Sequence, residues 1–310
     1  MFTPLLIAAR TVNIGASILF AGIFTFAAII LLPVGRVGTG DFQEVERCLL
    51  RLAVWSLIAA ILSGLLWFWL EVASMNELSL KNALSAPAWR AVLFETRFGR
   101  VWQLRFGVIV AAFPLIWLCR AQVKARRALI LILWLLSVVF LASLALISHA
   151  AAASIQPLGL LGDMLHLCAV GGWIGELLPL VIFLARTRAS LALGAIAAAA
   201  PQRFSTLSLC CVSVLVLSGI SNSWLLVGSI HALFTTPYGR LLVFKLTLFA
   251  ILIALGGRNR FLVKAMRRRA VADPNLVSQV RRNILCEICF GATVVAIVAC
   301  LGVTPPARHF

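Results

Sequence analysis

The side chains best suited to hold a metal ion are few and close together: His149, then Asp163, Met164 and His166, with Met75 and His231 at two corresponding junctions elsewhere in the chain. Asp163 and His166 are three residues apart, so on a helix they share a face, and a carboxylate beside an imidazole can fix the ring's orientation. Imidazole with thioether and few carboxylates suits copper better than magnesium or calcium, because soft sulfur prefers Cu(I) and imidazole accepts Cu(II) or zinc. Spacing alone leaves the metal and its oxidation state open. Further along the same segment, Trp173 falls about 20° from His166 and Glu176 about 80° from it, and Glu176 lies about 20 Å along the axis from Asp163. Trp173 and Glu176 are therefore candidates for a permeation path, since an ionisable group at membrane depth lines a cavity, pairs or binds an ion. Cys286 and Cys289, on one helical face, are a possible inner exit for Cu(I).

The elements that must position these residues are membrane helices. Of the 310 residues, 62% are hydrophobic and 12% charged, and the mean hydropathy is +1.05, against roughly 45–50% and 25% in soluble proteins. A water-soluble globule is excluded. Eight apolar runs, at about 5–32, 49–70, 101–119, 128–147, 158–184, 204–227, 241–256 and 284–303, are long enough to cross a hydrocarbon core of about 30 Å. The first run is too long for a signal-peptide core and has no basic leader, so it is expected to stay in the mature chain. The expected fold is all-α, a polytopic membrane protein with eight transmembrane helices.

The net charge of +17 needs no nucleic-acid partner, because basic residues gather on the cytoplasmic flanks of membrane helices. The connections after the first, third, fifth and seventh spans carry 18 Lys and Arg, among them Arg126, Arg186, Arg260 and Lys264; the opposite side carries 8, and Arg10 lies inside the first span. Both termini are expected to face outward. That orientation brings all four histidines, His309 included, to the outer side. The eight cysteines sit in or beside apolar runs and show no disulfide framework.

The two halves repeat. Ser63-Gly64 and Trp69-Leu70 match Ser218-Gly219 and Trp224-Leu225 at an offset of 155; Thr96, Gly99-Arg100 and Arg105 match Thr236, Gly239-Arg240 and Lys245 at 140; and Asn13, Phe20 and Gly22 match His166, Trp173 and Gly175 at 153. Four helices per copy, an even number, predict tandem repeats at 1–147 and 148–310 related by a pseudo-two-fold along the membrane normal. Arg10 takes the position of Asp163 and is expected near that carboxylate or another outer acceptor across the axis. The second half has the ligand-type side chains and should carry the chemistry. The Phe-x-Thr-x-aromatic-Gly-Arg segments before the third and seventh spans read as architecture.

At Ser148-His149-Ala150, Asp163-x-x-His166 with Trp173-x-Gly175, Thr236-x-Tyr238-Gly239-Arg240 with Lys245, and Asn259-Arg260, the chain resembles the copper resistance protein D family, bacterial inner-membrane proteins, over essentially its whole length. The resemblance implies copper as the ion handled, uptake across the inner membrane, and a periplasmic copper-binding partner of the CopC type. No P-loop or phosphorylation motif is present, and the chain is not expected to be an enzyme. Two alternatives stay open on sequence: a membrane haem or redox protein with histidine axial ligands, and a docking platform for a periplasmic copper protein that transports nothing.

Overall fold

The computed structural model describes residues 3–34, 40–122, 124–148, 156–187, 194–268 and 274–307. His149 and His309 lie outside the described residues.

Eight long helices, α1 to α8, form the bundle: α1 Thr3–Thr25, α2 Gly40–Met75, α3 Arg97–Ala121, α4 Arg126–Ala142, α5 Gln156–Thr187, α6 Gly194–Val227, α7 Pro237–Arg268 and α8 Pro274–Leu301. All eight are long and apolar enough to cross a membrane, so the chain is a multi-pass membrane protein. No strand occurs among the described residues. In a hydrocarbon setting a helix satisfies its backbone hydrogen bonds within its own segment, which open strands cannot do.

Several helices overrun their apolar stretch. α2 starts at Gly40 and α7 runs to Arg268, because the charged flanking residues are good helix formers and can continue the ladder into water. In the opposite direction, α1 passes into a π-helical turn at Phe26–Leu31 just before Pro33, where the proline ring and its missing N–H prevent regular α-helical bonding.

Each half is a four-helix set with the same internal neighbours. α1 packs on α2 and α4 as α5 packs on α6 and α8; α3 packs on α4 as α7 packs on α8. Between the halves α1 meets α5 and α8, and α4 meets α5. Accordingly 72% of the apolar stretch of α1 and 61% of that of α5 is buried inside the protein, against 17% for α6. The helix expected to carry the site is thus central, with α6 and α7 on its outside.

α1 and α5 cross at two glycines that occupy matching repeat positions. A Cβ on Gly22 would stand 2.2 Å from the Gly175 carbonyl oxygen, and one on Gly175 would stand 3.0 Å from Gly22 Cα. Pro179 takes the in-helix donor away from that same carbonyl, and the Cα–H of Gly22 faces it instead.

The local repeats are also present as contacts. Gly99 N–H donates to Thr96 Oγ1 at 2.9 Å and Gly239 N–H to Thr236 Oγ1 at 3.0 Å, a matching N-cap on α3 and α7. Both glycines lie where a Cβ would hit backbone carbonyls of the preceding short helix, Val92 and Leu93 in one case, Ala232 and Leu233 in the other.

Candidate metal site on α5

His166 and Asp163 project from the first turns of α5 toward α6. His166 Nδ1 is 2.9 Å from Ser218 Oγ, and the Ser218 hydroxyl already donates to the Val214 carbonyl at 2.6 Å. A hydroxyl has one hydrogen, so the imidazole is the donor in the first contact and Nδ1 carries the proton. Nε2 is then left with its lone pair, the form in which a histidine binds a metal. One turn nearer the terminal end, Asn222 Nδ2 donates to Asp163 Oδ1 at 2.5 Å. From α7, Tyr238 and Lys245 lie within electrostatic reach of the Asp163 carboxylate, and Lys245 within reach of His166.

The matching place in the first half is closed. Arg105, with no exposed surface, donates through Nη2 to Asn13 Oδ1 at 2.9 Å and Ser17 Oγ at 3.0 Å, and through Nη1 to the Phe140 carbonyl at 2.8 Å and Ser143 Oγ at 3.1 Å. Asn13 Nδ2 donates to the Ala60 carbonyl at 2.8 Å and touches Ser63 Oγ at 3.3 Å. Asn13, Ser63 and Arg105 are the repeat counterparts of His166, Ser218 and Lys245. The first copy fills this place with the Arg105 network, whereas the second keeps its cation, Lys245, beside an imidazole and a carboxylate.

The other sequence candidates are scattered. Met164 is half-buried beside Asp163, whereas Met75 is 50% exposed at the end of α2 and His231 is exposed on the short helix Ile230–Thr235. Among the described residues no three His, Cys, Asp or Glu side chains come together as a metal cage. Trp173 and Glu176 are fully inside, at 2% and 0% exposure. Arg186 pairs with Glu44 of α2.

Cys286 and Cys289 are exposed on α8, while Glu287 between them is buried and accepts from Asn259 Nδ2 at 2.5 Å; Asn283 Nδ2 in turn donates to Asn259 Oδ1 at 2.9 Å. Glu287 and Asn259 line a crevice with Trp173, Ser205, Gly256 and Arg260 at the end of the bundle away from the termini. The 3.6-residue period puts Glu287 opposite the cysteines, and only packing tells which side faces in.

Arg10 is corrected as well. Its acceptor is Glu71 of α2, in its own half, at 3.9 Å, and its guanidinium lies over the Trp67 ring at 4.7 Å and against Gly302. Asp163 is answered by Asn222 instead. Trp67 and Asn222 are themselves repeat counterparts, so the offset identifies which neighbour each contacts but not whether the charges face each other.

Ser218 was visible in the sequence only as a repeat match, and Lys245 as a repeat match and part of the family pattern; nothing in their type marked them as partners of His166. Asn222 had no signal.

The models of two related families cover the chain: that of the N-terminal domain of copper resistance protein D-like proteins matches residues 1–156, and that of copper resistance protein D matches residues 198–301. The chain belongs to the copper resistance protein D family. It is 28% identical over 229 residues to copper resistance protein D of Pseudomonas syringae pv. tomato, covering 72% of this chain and 73% of that protein. The inner membrane protein YebZ of Escherichia coli is 27% identical over 311 residues, 97% of this chain and 98% of that one. The copper transport protein CutJ of Bacillus subtilis is 29% identical over 192 residues, 59% of this chain; the match spans about a third of that longer relative, 34%. No solved structure matches.

Proposed function

We propose that this copper resistance D protein passes copper ions across the bacterial inner membrane, accepting them from a periplasmic copper carrier of the CopC type. The observation that carries this reading is the set imidazole of His166: its Nδ1 is committed to Ser218, its Nε2 is free, and it stands beside the Asp163 carboxylate on a central helix. Copper is the cargo and would meet His166 first, with Asp163 supplying negative charge and Met164 a soft donor. His149, in the α4–α5 connection, is the second imidazole we assign to this mouth, and Met75 and His231 are outlying donors for capture. From there the ion would descend along α5 past Trp173 to Glu176.

The names of the Bacillus and Pseudomonas relatives support copper transport or resistance as the role, and that of the Escherichia coli relative supports the inner membrane. The excess of basic residues in the connections after α1, α3, α5 and α7 supports termini on the periplasmic side. The shared neighbours within each half support two tandem copies, 1–147 and 148–310, of which only the second transports.

The test is copper accumulation in cells making equal amounts of membrane-inserted protein. His166→Ala is expected to reduce accumulation severalfold toward that of cells without the protein. Accumulation equal to wild type would overturn the outer-site assignment.

A further inference from the structure

Glu176 is wholly inside the membrane bundle, and neither of its carboxylate oxygens has a hydrogen-bond partner among the described residues. Burying a carboxyl without partners is among the most costly things a fold can do, and doing so at membrane depth marks a functional position. Its surroundings say what it serves. On α5, Cys168, Gly172 and Glu176 follow one another at intervals of four and so share a face. Across the seam, Cys211 of α6 places its sulfur 3.0 Å from the point where a Cβ on Gly172 would be. The absent side chain is what lets that sulfur reach α5.

Helical side chains lean toward the N-terminus of their own helix, so the Glu176 carboxyl is carried back toward Gly172 and the Cys211 sulfur. Cys211 lies within electrostatic reach of both Glu176 and Cys168. Buried thiols often serve as small apolar fillers, and Cys211 on Gly172 would read that way if Glu176 were absent. A filler does not call for an unpaired carboxyl beside it.

We propose that Cys168 and Cys211, facing each other across the α5–α6 seam with Glu176 one turn below Gly172, form a mid-membrane station for a soft monovalent cation, Cu(I). Thiol sulfur selects Cu(I) over the harder cations of the cell; binding exchanges a proton for the cation, and the Glu176 carboxyl, neutral while it has no partner, is a group that can give one up to balance the incoming charge. Among the described residues no three such donors are placed to hold a metal as they stand, so the side chains must draw together as the ion arrives. The choice of ion rests on the copper reading above; the grouping of the side chains does not. The exposed pair on α8, Cys286 and Cys289, has no part in it.

The test is X-ray absorption at the copper edge of the purified full-length protein in detergent, loaded with one equivalent of Cu(I) under ascorbate. Sulfur scatterers are expected in wild type and in Cys210→Ser, whose thiol is exposed. They should be lost or halved in Cys168→Ser and in Cys211→Ser, with Cys211→Ala as the check that serine itself does no harm. In competition with a chromophoric Cu(I) chelator, Glu176→Gln is expected to weaken binding about tenfold while the protein stays monodisperse. A wild-type spectrum without sulfur, or one unchanged by both cysteine substitutions, would overturn the station. Failure of the outer site is separate: normal accumulation by His166→Ala with a sulfur signal that still responds to Cys211→Ser removes that site and leaves this one.

Discussion

At His166 the proton position follows from two linked hydrogen bonds: Val214 takes the Ser218 hydrogen, so Ser218 takes the imidazole's. Ser218→Ala removes that constraint and frees the ring to turn or change tautomer. Loss of such an orienting partner commonly costs about 10–100-fold in metal affinity, and an affinity in that range, by isothermal titration with the purified protein, is the expected outcome; an unchanged affinity would mean the ring is held by something else. In the other half, Asn13 gives the Arg105 guanidinium one of its four acceptors. Asn13→Ala should destabilise the protein by about 1.5–3 kcal/mol, the scale of a hydrogen bond to a charged group, seen as a drop of several degrees in the thermal midpoint in detergent. Only a residue-by-residue view separates these two places. In sequence they are the same position, and two exchanges, imidazole for carboxamide and Lys245 for Arg105, separate the His166 place from the Asn13 one.

For the helices, the decisive contact is the α1–α5 crossing. Gly22→Ala would put a methyl carbon into the Gly175 backbone, and no rotamer can relieve a Cβ, so the two central helices must separate and shift α2 and α6 with them. The expected result is a large loss of monodisperse protein after detergent extraction. Gly15→Ala on the same helix meets nothing within 4 Å and is expected to be neutral or to stabilise by up to about 1 kcal/mol through helix propensity. If both variants behave alike in size-exclusion chromatography, the crossing is not as close as described. Helix existence was legible from apolar runs, because period and length suffice for that. The close approach was not, since a glycine in a membrane helix looks the same whether it faces lipid or another backbone.

Over the whole molecule, the charge asymmetry predicts an orientation that labelling can check. His231→Cys, at the exposed short helix that precedes α7, should react with a membrane-impermeant maleimide in intact spheroplasts, whereas Lys264→Cys, exposed near the end of α7, should react only after permeabilisation; the reverse pattern would turn the transport reading upside down. Composition and hydropathy by themselves settled that the chain crosses a membrane eight times, because the bilayer demands about 20 apolar helical residues per crossing wherever it occurs. The internal offsets likewise told which positions correspond. What needed the tertiary structure was which side of each helix turns inward. Glu287 and not its flanking cysteines as the buried group on α8, Glu71 and not Asp163 as the acceptor for Arg10, and the approach of the Cys211 sulfur to Gly172 each depend on which helices pack together. A helix repeats its faces every 3.6 residues whatever lies beside it, and only neighbouring helices decide which of them is the interior.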